Sequence, residues 1–148
     1  MQVPERIQPK GLADYLDVMG KAMFQSGISW RVVESKWPGT REALQDFNPR
    51  TIATLTDADL DELAKDTRLI RNRRKLAALV DNARRMLELE EDHGSFQNYL
   101  RSHGGFEGTL KDIRKQFKYM GDAGTFYFLW VVGEDVPDYE EWCKSHHQ

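Results

Sequence analysis

"TFYFLWVV", residues 125–132, is the stretch on which the fold turns. A short, continuous apolar run fits a fully buried strand or a buried helix equally well, because periodicity alone does not separate the two. Its neighbours separate them. Every other segment carries helical spacing and none offers a strand partner, so the run is expected to be a helix and the chain all-α. Leu12, Tyr15, Leu16, Met19 and Met23 recur at steps of three and four. The longest element is expected from about Arg71 to Glu91, with Leu76, Leu79, Val80, Ala83, Met86 and Leu87 along one stripe. Between these two, Val32 and Val33 form a short apolar turn and Pro38-Gly39 reads as a break. Asn48 can cap a helix that begins at Pro49, and Thr56 caps one with an acidic first turn. Gly94 ends the long helix and Ser95 caps "FQNYLRS". Thr109 is expected to open a helix through Phe117, and Pro137 and Asp138 to start the last one. Roughly eight to ten helices result, with Trp130 in the core.

The chain of 148 residues is expected to form one domain over 1–148. Its composition, 40% hydrophobic and 30% charged, is that of a globular protein rather than a disordered one. No apolar run approaches the roughly 18 residues a membrane span needs, and "MQVPERIQPK" has no apolar signal core. A cytoplasmic protein without a membrane partner is the expectation. A single cysteine, Cys143, excludes internal disulfides. His146 and His147 follow it closely, but structural zinc needs four ligands and His93 and His103 sit mid-chain, so no metal and no other cofactor is expected. The net charge of -3 argues against nucleic-acid binding over the whole surface and leaves room for a local basic face.

Two constellations bear on chemistry. In "TRLIRNRRKLAALVDNARRM", Arg68, Arg71, Arg73, Arg74 and Lys75 crowd the start of the long helix. Arg71, Arg74, Lys75 and Arg85 are expected on the face opposite its apolar stripe, either as a solvated face or as a surface for phosphates. In "KQFKYMGDAGTFYFL", Gly121 and Gly124 mark a tight turn at the mouth of the apolar helix, flanked by Lys115 and Lys118. Such a turn presents backbone N–H groups and a positive helix end to a phosphate, or simply permits a tight helix corner.

The order of short motifs, "FQSGISW", "FNPRTIATLTDADLDELAKDTRLIRNRRKLAALVDNARRML", "SFQNYL" and "FKYMGDAGTFYF", resembles the 3-methyladenine DNA glycosylase I family, a branch of the helix-hairpin-helix DNA glycosylases. The resemblance covers roughly residues 12 to 133. It implies an all-α fold and hydrolysis of the N-glycosidic bond of an alkylated purine such as 3-methyladenine in double-stranded DNA. By this resemblance "FKYMGDAG" looks like the DNA-binding hairpin, with Lys118, Gly121 and Gly124 in it; on the arginine cluster's own charge, Arg71, Arg73 and Arg74 are expected to add phosphate contacts. Trp30 matches an aromatic residue of the base pocket, with Gln25 and Tyr15 expected beside it. An extruded base is held between aromatic and apolar surfaces. A base alkylated at N3 is cationic, which an indole face attracts.

The chain departs from the family at the pocket. The family's glutamate, eight residues before the matching tryptophan, is Ala22 here, and the family's zinc-binding segments have no counterpart. Ala123 stands where bifunctional relatives carry a lysine, so lyase chemistry is not expected. Replacement carboxylates are sought at Glu34, one helical turn beyond Trp30, and at Asp138, which has an equally good role as a helix cap. The leading expectation is a monofunctional DNA repair glycosylase with an altered catalytic site. The alternative is a non-catalytic DNA-binding module that keeps the fold. Oligomeric state is left open.

Overall fold

The computed structural model describes residues 2–146. Among them there are nine α-helices and no strand: α1 Leu12–Gln25, α2 Trp30–Ala43, α3 Pro49–Ile52, α4 Asp57–Leu63, α5 Arg73–His93, α6 Phe96–Leu100, α7 Phe106–Gln116, α8 Asp122–Val131 and α9 Tyr139–Ser145. The apolar run is thus helical, within α8, and nearly all of it is buried. No helix is long and apolar enough to cross a membrane.

Local signals set most boundaries. Asn48 accepts from the Arg50 amide at 3.0 Å, and Thr56 forms a reciprocal capping box with Asp59. Asn72, rather than Arg71, opens the long helix by accepting from the Lys75 amide, and Gly94 closes it in the left-handed conformation. Ser95 and Asp138 cap α6 and α9 as their sequence positions suggest.

Two boundaries and one helix face differ from the sequence reading. Pro38-Gly39 does not break α2, which runs through both residues. The proline forgoes one backbone hydrogen bond, while Gly39 lets the helix press on the backbone at Arg68, where a Cβ would stand 3.0 Å from a carbonyl oxygen. Thr109 does not open α7, which begins at Phe106; its hydroxyl is buried and donates to the Leu100 and Gly105 carbonyls. Lys75 and Arg85 do not lie on a solvated face of α5. Lys75 shares the side of α5 that carries Leu79, Asn82 and Met86, and it is buried. Arg85 is half-buried, its Nε donating to the Gln116 side chain at 2.7 Å and its Nη1 pairing with Glu88 at 3.4 Å.

α1 packs extensively on α8, as α5 does on α3 and α6, and α5 also braces α1 and α4. The turn Gln45–Phe47 has three successive residues at positive φ, between 50° and 58°. Left-handed backbone is costly for residues with a side chain. Here it swings Phe47 into the core, where its ring stacks on Trp37 at 5.2 Å and fills a notch against Gly20. The N-terminal segment crosses α8 as an extended strap. Ile7 donates its amide to the Val131 carbonyl at 2.7 Å, Trp130 Nε1 donates to the Pro4 carbonyl, and the Arg6 guanidinium lies 4.3 Å from the Trp130 ring. Trp130 is therefore half-buried under the strap rather than in the core.

A Cβ at Gly20 would stand 2.8 Å from Phe47 Cε1, and Phe47 has no room to retreat. Gly20→Ala is expected to lower stability by about 1 to 3 kcal/mol. Gly124→Ala meets only an ordinary 3.7 Å contact at Ala22 and removes a helix-interior glycine, so it should be neutral or add up to about 1 kcal/mol. Urea unfolding of the two variants checks both signs.

Candidate functional site

A cleft of 1320 Å³ opens between the strap, α1, α2 and α8. Trp30 forms part of its wall because Ser29 caps α2 one residue earlier, accepting from the Val32 amide, and so fixes where the helix begins. The indole packs against the Tyr127 ring, with centroids 4.6 Å apart and planes tilted by 40°. Glu34, one turn further along α2, lines the same cleft. Its carboxylate pairs with Lys21 of α1 at 2.8 Å. Asp17, one turn before Lys21 on α1, accepts from Trp37 Nε1 at 2.9 Å and from Arg41 Nε at 2.6 Å. This site therefore combines an aromatic wall with two carboxylates, each steered by one cation.

Tyr127 is 9% exposed, and what remains exposed faces the cleft. Burial first, then the nearby charges of Glu34 and Asp17, push its phenol well above the usual tyrosine value. Tyr139, also on the cleft, is pushed up to about 12 by burial and by Cys143. Both phenols remain protonated at neutral pH.

Several residues singled out from the sequence lie elsewhere. Tyr15 is in the core, edge-on to Phe96 at 5.1 Å, and does not reach the cleft. Gln25 donates to the Ile28 carbonyl at 3.1 Å, so its amide shapes the turn between α1 and α2. Asp138 is exposed and caps α9, off the cleft lining. Ala22 is 2% exposed and its methyl faces Gly124 across the α1–α8 contact. Asp17, Lys21, Tyr127 and Tyr139 were not singled out. For Tyr127 the signal was available: a phenol within an apolar helix needs somewhere for its hydroxyl.

The basic candidates divide into engaged and free cations. Arg73 is held by Asp61 at 3.0 Å and Asp57 at 3.4 Å, and Lys118 by Asp81 at 2.6 Å. Arg71 and Arg74 are exposed and form no ion pair among the described residues. At the hairpin, Asn82 clamps both the amide and the carbonyl of Lys118, at 2.9 and 3.0 Å. The next residue, Tyr119, is 41% exposed at a φ of 59°. Lys75 Nζ lies 5.8 Å from that ring and donates to the Phe24 and Ser26 carbonyls, tying the hairpin to the turn that leads into Trp30. Burial lowers the Lys75 pKa. Gly121 starts α8 without a side-chain cap, leaving first-turn amides for an acceptor. Gly124 instead faces Ala22 across the α1–α8 contact.

His147 lies outside the described residues. Among those described, no three His, Cys, Asp or Glu side chains cluster closely enough to hold a metal. His146 stacks on Trp142 at 3.9 Å, and Trp142 in turn on Phe126 at 4.2 Å.

The sequence model of the family described as methyladenine glycosylase matches residues 15–127. DNA-3-methyladenine glycosylase of Haemophilus influenzae is 35% identical over 89 residues, which are 60% of this chain and 48% of that protein. The chain thus spans about half the length of that relative. DNA-3-methyladenine glycosylase 1 of Escherichia coli K12 is 32% identical over 130 residues, 74% of this chain and 70% of that protein. Among solved structures, 3-methyladenine DNA glycosylase I of Staphylococcus aureus superposes with a TM-score of 0.75 at 26% identity, covering 86% of this chain and 79% of that one. A variant of 3-methyladenine DNA glycosylase I in complex with 3-methyladenine gives 0.74 at 25% identity, covering 88% and 85%.

Because Ala22 sits in a closed helix contact, a carboxylate placed there has no open path to the cleft. Ala22→Glu is expected to cost about 3 kcal/mol or more from overpacking and charge burial. It should not raise activity. Thermal unfolding of this variant beside Glu34→Gln, whose exposed pair is worth no more than about 1 kcal/mol, checks the contrast.

Proposed function

Because the chain belongs to the methyladenine glycosylase family, we propose that it removes an alkylated purine of the 3-methyladenine class from double-stranded DNA by hydrolysing the N-glycosidic bond. The observation that carries this reading is the cleft wall itself: Trp30 backed by Tyr127, with the Glu34 carboxylate one helical turn away. An extruded base needs such a stacking surface. A cationic base gains further from the indole face and from two carboxylates in a partly desolvated cleft.

Water attacks C1′ of the deoxyribose, the bond to the base nitrogen breaks, and the electron pair leaves with the base and cancels its positive charge. The departing base needs no protonation. Glu34 orients the water and takes up its proton, and the developing positive charge on the sugar is stabilised by the same carboxylate. Lys21 fixes the direction of that carboxylate. The amides at the start of α8 and the exposed Arg71 and Arg74 supply contacts to the phosphate backbone.

One observation favours a second reading, a DNA-binding module without catalysis: the family's glutamate position, Ala22, is buried against α8 and offers the cleft no carboxylate. Release of free base from alkylated duplex DNA separates the two. The wild type is expected to release base, Glu34→Gln to lose about 100-fold or more, and Trp30→Ala to lose activity out of proportion to its change in melting temperature. Duplex binding at low salt without any release by the wild type would overturn the glycosylase reading in favour of the binding module.

A further inference from the structure

Three cationic side chains line the cleft, Lys10, Lys21 and Arg41, and their chemistry differs. A guanidinium stays charged and is no nucleophile, whereas an amine becomes one when it loses a proton. Lys10 is exposed on the strap. The Lys21 side chain is only 15% exposed, and its Nζ meets the Glu34 carboxylate at 2.8 Å, its one ion pair among the described residues. A pair with so exposed a partner stabilises the fold by no more than about 1 kcal/mol, so the fold gains little from an amine set into this wall. Ala123 removes the lysine of bifunctional relatives from the start of α8, but α1 brings an amine into the cleft.

We propose that Lys21 forms a Schiff base with the abasic sugar and cleaves the DNA strand on its 3′ side, a lyase activity carried by the same cleft. This rests on the glycosylase reading, whose product is the substrate. Glu34 faces C1′ during base release, so an amine in contact with that carboxylate is within reach of the same carbon. Base release leaves a hemiacetal at C1′ that opens to an aldehyde. Glu34 takes a proton from Nζ across a separation suited to direct transfer. The freed lone pair attacks C1′ and forms the N–C1′ bond. The aldehyde oxygen leaves as water, carrying the Glu34 proton and a second proton from Nζ, and a cationic imine remains. The carboxylate, free again, removes a proton from C2′. The C2′–H electrons form the C2′–C3′ double bond, and the C3′–O bond breaks with its electron pair leaving on the 3′ phosphate, which takes the proton from Glu34. Water then adds at C1′ and gives both its protons to Nζ, which restores the lysine and leaves an unsaturated aldehyde on the strand.

A duplex with one preformed abasic site, incubated with the protein and sodium cyanoborohydride, tests this without any need for base release, because the reductant turns the imine into a stable amine. The wild type is expected to give a covalent protein–DNA adduct that peptide mass spectrometry places on Lys21. Without reductant it should give a nicked strand ending in the unsaturated aldehyde. Lys21→Arg keeps a cation against Glu34 but cannot form the imine. At concentrations where fluorescence anisotropy shows the abasic duplex to be saturated, it should lose adduct and nicking by about 100-fold or more. Nicking by Lys21→Arg at the wild-type rate overturns the proposal, as does an adduct on any other amine, Lys10 included. Absence of an adduct from the wild type overturns it too, whether or not the duplex is bound. If Lys21→Arg fails to fold, the mapped position of the wild-type adduct decides. Release of 3-methyladenine from alkylated duplex is measured beside these. Release without an adduct overturns the lyase alone, and an adduct on Lys21 without release overturns the glycosylase reading alone.

Discussion

The contact between α1 and α8 is the constraint from which the site follows. Ala22 and Gly124 face one another across it, with the position of a Cβ on Gly124 in ordinary contact, 3.7 Å, with the Ala22 methyl. Small residues at a crossing let two helix backbones come near, and what is carried one turn further along each helix then comes near as well. On α8 this is Tyr127. On the α1 side it is the turn at Gly27, which sends the chain directly into Trp30. The 4.6 Å contact of the two rings is thus a consequence of backbone proximity a turn away.

The same crossing explains how the chain can lack a carboxylate at position 22. That position lies inside the contact rather than on the cleft, and alanine is what the close approach accommodates. The acidic groups that do reach the cleft come from neighbouring registers, Asp14 and Asp17 on α1 and Glu34 on α2. Asp17 and Glu34 are steered by Arg41 and Lys21, so the cleft is polar without leaving either carboxylate unaccompanied. Lys75 extends this order to the hairpin. Its ammonium holds the carbonyls at the end of α1 and lies 5.8 Å from the Tyr119 ring, linking the turn before Trp30 to the hairpin before α8.

Much of this was legible in the amino-acid order. The caps at Asn48, Thr56, Ser95 and Asp138, and the glycine stop at Gly94, work through neighbours two or three residues away, which is why sequence alone locates them. Trp30 and Glu34 on one face of one helix follow from the 3.6-residue period. Other features resisted reading for an equally physical reason. Pro38-Gly39 looks like a break until the backbone at Arg68 is brought against Gly39. Lys75 looks like a solvated cation until the end of α1 supplies carbonyls to receive it. Thr109 looks like a cap until Leu100 lies across from it.

By itself, then, the sequence determined that the regular structure is helical and where many of its helices are capped. Those properties depend on local backbone hydrogen bonding and on the period of apolar side chains. Only the tertiary structure decided which polar groups share the cleft with Trp30, setting Tyr127, Asp17, Lys21 and Tyr139 there and leaving Tyr15, Gln25 and Asp138 elsewhere. That outcome depends on how α1, α2 and α8 cross, and the crossing is set by long-range packing at positions such as Gly20, Ala22 and Phe47, which no local period encodes.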